Sequence, residues 1–210
     1  MIDNELQKRI LSSIILLPVT FFFIFKGSIF FIFFLSLIFL AVTYEWFNMS
    51  KNNELIRIFG IIFSFFSFFI AFYLRENSFN FFLLIIVVCI FTDIGGYIFG
   101  KVFKGLKLTK ISPNKTYSGM IGGYFLSLIF LSFFIWLFDQ TMSVKWFIIT
   151  ILISTVSQIG DITISYFKRL SKIKDTGKII PGHGGLLDRI DGMIFAFPIF
   201  YLIELTDYLL

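Results

Sequence analysis

Four aspartates, six of the eighteen basic residues, six of the fifteen glycines and the one histidine fall between Ser157 and Gly192, in a chain that is otherwise strongly apolar. The stretch reads SQIGDITISYFKRLSKIKDTGKIIPGHGGLLDRIDG. Gln158, Asp161, Ser165 and Lys168 recur at i, i+3, i+7 and i+10 and share one face of a predicted helix. A carboxylate at the end of an apolar helix must be paired, wetted or metal-bound. Asp161 could simply pair with Lys168 or Arg169 and anchor the helix end. Asp188 and Asp191 open the last apolar run, where an N-cap and first-turn role would suit them equally. The context argues for more. Pro181-Gly182-His183-Gly184-Gly185 leads into that helix, and glycines let backbone N–H groups approach a phosphate at a helix N-terminus.

Asp161 and Asp188 end on the same side of the apolar layer, among many lysines and arginines. Oxygen ligands from separate elements suit Mg²⁺ with a polyphosphate completing its shell. His183 could ligate zinc, but no cysteine or second histidine completes such a site; hydrogen bonding to a phosphate suits it better than a turn role alone. Asp93, in FTDIGGYIFG, is a second carboxylate within an apolar run and reads equally as a site residue or a helix-to-helix hydrogen bond. Ser112-Pro113-Asn114-Lys115-Thr116 precedes another span, and Lys115 is a candidate phosphate contact. Lys101, Lys104, Lys107 and Lys110 read instead as topology-setting charge near anionic headgroups.

The elements that position these groups are membrane helices. The sequence is 58% hydrophobic with 33 phenylalanines and a mean hydropathy of +0.92, outside the range of a soluble domain. Apolar runs predict about seven spans: Ile10 to Phe25, Ser28 to Phe47, Leu55 to Leu74, Phe79 to Phe99, Gly119 to Phe138, Val144 to Phe167 and Ile190 to Leu209. The first has no small-residue cleavage site after it and is expected to be retained. The expected fold is all-α and polytopic, one integral-membrane domain over 1–210. Residues 1–75 supply N-terminal helices and 79–210 the catalytic core.

With the N-terminus in the cytoplasm, only Lys26, Arg75 and Lys145 of the eighteen basic residues fall on the far side. The positive-inside rule therefore places the loops 100–118 and 168–189 in the cytoplasm, where nucleotides and Mg²⁺ are available. The same distribution explains the net charge of +5 without a nucleic-acid partner. The single cysteine, Cys89, excludes an intramolecular disulfide and a cysteine-based zinc cluster. Gly96-x-x-x-Gly100 and Gly119-x-x-x-Gly123 have the spacing of close helix packing.

The run S-x-x-K-R-x(4)-K-D-x-G-x(3)-P-G-H-G-G-x-x-D-R-x-D, from Ser165 to Asp191, resembles the signature of phosphatidate cytidylyltransferases, the membrane CDP-diacylglycerol synthases. The resemblance extends back through Gln158-x-Gly160-Asp161, SPNKT and DIGGY. It reaches LQKRI and Tyr44-Glu45-Trp46 more weakly. It implies the reaction CTP + phosphatidate → CDP-diacylglycerol + pyrophosphate, a homodimer, and Mg²⁺ at the carboxylates matching Asp161 and Asp188, with room for a monovalent cation such as K⁺ beside it. A glutamate common in the family after the Lys-Thr pair is Ser118 here, which removes that carboxylate.

Within this reaction Asp161 and Asp188 are expected to hold the metal, while Lys168, Arg169, Lys115 and Arg189 neutralise phosphates. His183, Gly184 and Gly185 would take the leaving group, and Asp175 and Asp191 would orient the cations. Ser165 and Asp93 complete the candidate substrate-binding set. Three alternatives stay open: CTP-dependent activation of another lipid phosphate, a CDP-alcohol phosphotransferase whose longer aspartate motif is absent, and a cation transporter using Asp93 and Asp161.

Overall fold

The computed structural model describes residues 4–51, 53–138, 140–182 and 184–206. Seven α-helices follow one another: α1 Asn4–Lys26, α2 Ser28–Met49, α3 Glu54–Asn77, α4 Phe79–Phe103, α5 Tyr117–Leu137, α6 Val144–Leu170 and α7 Leu187–Leu205. Among the described residues the β pairing is confined to two isolated antiparallel bridges, Lys107 with Thr116 and Ile180 with Gly184. The protein is an all-α, multi-pass membrane protein.

Helices α1 to α6 are each long and apolar enough to cross a bilayer. Their outward surface is apolar, as a hydrocarbon solvent requires: Leu11, Ile14, Phe33, Leu40, Phe59 and Ile62 are all exposed. The seventh expected span differs. Helix α7 begins three residues earlier than its apolar run, at Leu187, which brings Asp188 and Arg189 into the helix beside Asp191; with Glu204 they leave no apolar window of spanning length among the described residues. Helix α6 also extends past its expected end, to Leu170, which makes Lys168 and Arg169 helical.

The chain sorts into two compact units. The first comprises residues 1–77 and 167–190, the second 78–166 and 191–210. The charged segment after Phe167 falls in the first unit with the N-terminal helices.

In the first unit, Gly27 with φ +67° separates α1 from α2, a conformation that glycine adopts without strain. Arg75, near the end of α3, donates to the Ile24 carbonyl from Nε and Nη2 at 3.0 and 2.9 Å, capping the end of α1. Trp46 fills the space beside Gly60 and meets Phe167 edge-on, ring centres 5.1 Å apart.

In the second unit, α4 and α5 pack backbone against backbone. A side chain at Gly95 would collide with the Gly122 carbonyl, and one at Gly119 would come within 2.7 Å of the Gly96 carbonyl. Gly96 itself is less confined, its nearest neighbour 3.7 Å away. Buried Thr92 and Ser154 share a 2.8 Å hydrogen bond between α4 and α6.

Candidate active site

The first unit gathers Lys168, Asp188 and Glu45 around one loop. Lys168, in the last turn of α6, donates from Nζ to Asp188 Oδ1 at 2.7 Å, and both side chains are close to fully buried. The other oxygen, Oδ2, accepts from the Thr176 amide at 2.8 Å and from the Gly185 amide at 3.3 Å. Asp188 is thus held from two sides, as a buried polar group must be.

Glu45, in the last two turns of α2, is 1% exposed. Its Oε2 accepts from Thr176 Oγ1 at 2.9 Å and from the Leu187 amide at 2.8 Å, and its Oε1 from the Leu186 amide at 2.9 Å. A helix leaves its first N–H groups without internal partners, and here a carboxylate from α2 takes them. Thr176 bridges the two acids, its amide on Asp188 and its hydroxyl on Glu45. The backbone comes very close: a side chain at Gly177 would strike Glu45 Oε1, and one at Gly185 would strike Thr176 Oγ1.

The glycine loop has its own fold. Ile180 and Gly184 exchange amide-to-carbonyl bonds of 3.1 and 3.2 Å, closing a turn whose tip is Pro181 and Gly182, and Gly184 has φ +86°. Arg9 Nε donates to the Gly182 carbonyl at 2.7 Å and Ser12 Oγ to the Pro181 carbonyl at 3.2 Å, so α1 holds the tip. The role expected of His183 lies outside the described residues.

These bonds give the amides of the loop partners of their own. The Gly184 and Gly185 amides, proposed from sequence to cradle the leaving group, are committed to the Ile180 carbonyl and to Asp188. The N–H groups that open α7 are committed to Glu45. Their glycine requirement has another cause: a positive φ at Gly184 and steric contact at Gly185. Asp175 is exposed, with its Cβ 3.5 Å from the position a Gly184 side chain would take. Arg169 is exposed too, and its Nη1 donates to the Ile173 carbonyl at 3.2 Å, closing the turn after α6. Arg189 is exposed on the first turn of α7.

In the second unit, Lys115 Nζ lies 2.5 Å from Asp161 Oδ2, and Ser165 Oγ donates to Asp161 Oδ1 at 3.4 Å. Asp161 therefore pairs with the SPNKT loop rather than with Lys168 or Arg169, one turn or more along its own helix. Lys115 is placed by that loop: its amide donates to the Ser112 carbonyl at 3.0 Å and its carbonyl accepts from the Leu108 amide at 2.8 Å. Thr116 then caps α5 by accepting from the Gly119 amide at 3.1 Å. Ser118 bonds to Thr116 and to the Lys104 carbonyl.

Asp191 is buried in the second unit, with its Oδ1 accepting from the Gly192 amide at 2.8 Å. Asp93 is exposed on α4. Among the described residues, no group of three or more His, Cys, Asp or Glu side chains could hold a metal by itself. Asp161 and Asp188 each present hard carboxylate oxygens, the ligand type that Mg²⁺ takes.

Sequence reasoning noticed Glu45 only as part of a familiar Tyr-Glu-Trp ending to a span. Its signal was nevertheless present: an acid in a span of otherwise uncharged residues marks a site or a buried partner.

The fold and these clusters define a multi-pass α-helical membrane protein that pairs carboxylates with lysines at helix ends joined by glycine-rich loops. A sequence model of the cytidylyltransferase family matches residues 53–206, and the chain belongs to that family. It is 35% identical to a phosphatidate cytidylyltransferase of Rickettsia bellii, covering 96% of this chain and 91% of the relative. The protein of the same name from Rickettsia felis is 33% identical, with 96% and 93% covered. One from Staphylococcus aureus is 41% identical over 60% of this chain and 49% of its own length.

Proposed function

We propose that this chain transfers the cytidylyl group of CTP to phosphatidate, releasing pyrophosphate and forming CDP-diacylglycerol for phospholipid synthesis. The observation that carries this reading is family membership together with near full-length similarity to two phosphatidate cytidylyltransferases.

The chemistry suits the residues. A phosphate oxygen of phosphatidate attacks the α-phosphorus of CTP, the bond from that phosphorus to the bridging β-phosphate oxygen breaks, and pyrophosphate departs. A phosphate monoester has a second pKa of about 6 and is mostly a dianion at neutral pH, so the nucleophile needs no general base. It needs relief from anionic repulsion, alignment, and charge stabilisation on the leaving group. We assign phosphate neutralisation to Lys168 and Lys115, each bonded to a carboxylate, with Arg169 next to Lys168 and Arg189 next to Asp188 in sequence, both exposed. Asp161 and Asp188 are each proposed as a carboxylate that binds Mg²⁺. When bound, the metal supplies charge neutralisation on the triphosphate. We place the reaction at the cytoplasmic face of the cell membrane, where the basic loops put it by the positive-inside rule, and propose a homodimer.

Two expected results follow from this reading. Below pH 6 phosphatidate gains a proton and loses nucleophilicity, so turnover at saturating CTP should fall about tenfold per pH unit below about 6, tracking the lipid's second pKa. A pH profile of initial rates in mixed micelles checks this, and a flat profile from pH 7 down to 5 contradicts it. Lys104 is exposed and caps the end of α4 through its backbone; Lys104→Ala should keep kcat/KM within about threefold, because exposed charge away from a site is worth little. Steady-state kinetics of that variant decide whether this lysine has been placed correctly.

A further inference from the structure

We infer that Glu45 is a positioning residue for the transfer reaction: by taking the Leu186 and Leu187 amides and the Thr176 hydroxyl it fixes the loop segments whose amides hold the Asp188 carboxylate facing Lys168. This rests on the function proposed above.

Asp188 sits in the first turn of α7, where an acid ordinarily turns back onto the amide three residues earlier. Asp188 does so at Gly185, and the next two amides go to another acid. Leu186 and Leu187 donate to Glu45 at 2.9 and 2.8 Å, leaving Asp188 only the Gly185 amide at 3.3 Å, the longest bond in the cluster. Its shorter bonds run to Thr176 and to Lys168.

The surroundings are shaped to admit Glu45 and little else. Gly177 and Gly185 both lie where a side chain would overlap Thr176 or Glu45, and Thr176 and Leu187 are buried. A buried carboxylate with three hydrogen bonds costs desolvation that a purely apolar contact would avoid. It is justified where orientation is the purpose. Glu45, Arg9 and Ser12 all act on the glycine loop or its exit from outside residues 53–206 matched by the family model.

Removing Glu45 leaves the Thr176 hydroxyl and two helix amides without their acceptor. The 176–187 segment would then shift, carrying the Thr176 and Gly185 amides away from Asp188 and loosening its hold on Lys168. The loss is one of geometry at Asp188, not of a group that touches substrate.

The test compares Glu45→Ala and Glu45→Gln with Arg75→Ala, which removes a comparable polar anchor of the first unit. Arg75 binds the end of α1 at Ile24, fifteen residues and about 22 Å along that helix from Arg9. Each variant is purified in detergent and examined for thermal stability, for kcat and KM, for the Mg²⁺ concentration giving half-maximal rate, and for amide hydrogen exchange across 174–187. Glu45→Ala should lower kcat at least about thirtyfold with little change in the phosphatidate KM, the signature of an interaction realised in the transition state. Its Mg²⁺ requirement should rise about tenfold, since Asp188 is drawn away from the cation it would bind. Glu45→Gln, which keeps one acceptor but turns an NH₂ group toward an amide, should fall between.

Exchange across 174–187 should accelerate in Glu45→Ala and stay at the wild-type rate in Arg75→Ala, whose kcat and Mg²⁺ dependence should also stay unchanged despite lost stability. A folded Glu45→Ala protein with wild-type exchange and kcat overturns the inference. So does a loss of activity that merely follows thermal stability in both variants. Should the wild-type protein itself turn over no phosphatidate, the function reading fails, and the exchange arm still decides whether Glu45 holds the loop.

Discussion

Asp188→Asn and Asp161→Asn should both be inactive, but only the first should be less stable. Each substitution removes a carboxylate proposed to bind Mg²⁺, and each should lower kcat by at least about a thousandfold, the scale of a lost electrostatic contact in a transition state. Their structural costs differ because their environments differ. Lys168 and Asp188 have side chains 11% and 9% exposed. An asparagine there leaves a buried ammonium without its counter-charge, a change that costs about 3–5 kcal/mol when one partner of a buried pair is removed. Lys115 and Asp161 are 23% and 31% exposed, and a pair that water reaches is worth about 0–1 kcal/mol. Thermal unfolding in detergent beside steady-state rates separates the effects. Equal stability losses would show that the two pairs do not differ as described, and an active variant of either residue would remove that carboxylate from the site.

The second large effect is expected at Gly185. A Cβ there would overlap Thr176 Oγ1 and stand 2.7 Å from both Glu45 Oε2 and the Gly177 nitrogen. None of these can yield cheaply: Thr176 and Glu45 are buried and bonded to each other, and the third atom is backbone. Gly185→Ala should therefore displace the entry to α7, with an overpacking cost of about 1–3 kcal/mol, and lower kcat at least about a hundredfold by misplacing Asp188. Gly96→Ala is the matched comparison. Its Cβ would meet only the Gly119 carbonyl, at 3.7 Å, and both stability and turnover should be unchanged. Should Gly185→Ala also behave as wild type, the close approach of Thr176, Gly177 and Glu45 is not what the loop requires.

Much of this was legible from residue order because membranes impose simple rules. Uninterrupted apolar runs placed α1 to α6, and Gly27 and the polar stretch after Met49 marked the breaks between the first three. Helix α7 was harder: its charged first turn obscured where it begins, and the amides at its true start, three residues earlier, donate to Glu45, distant in sequence. The same limit applies to the charge pairs. Helical periodicity placed Asp161 near Lys168, yet Asp161 pairs with Lys115, and Lys168 pairs with Asp188. Periodicity describes one helix at a time, whereas each observed pair joins a helix to a loop or to another helix. The glycine loop was recognised from its composition, but not that its amides are spent on its own turn and on two carboxylates.

The measurement that bears most directly on the proposed function is pyrophosphate release by the purified protein in mixed micelles with CTP and Mg²⁺, with and without phosphatidate, alongside Asp161→Asn. The expected result is release that requires phosphatidate, is matched by CDP-diacylglycerol formation, and is absent in the variant. Folded wild-type protein that releases no pyrophosphate with phosphatidate, or that releases it equally without the lipid, would contradict cytidylyl transfer to phosphatidate.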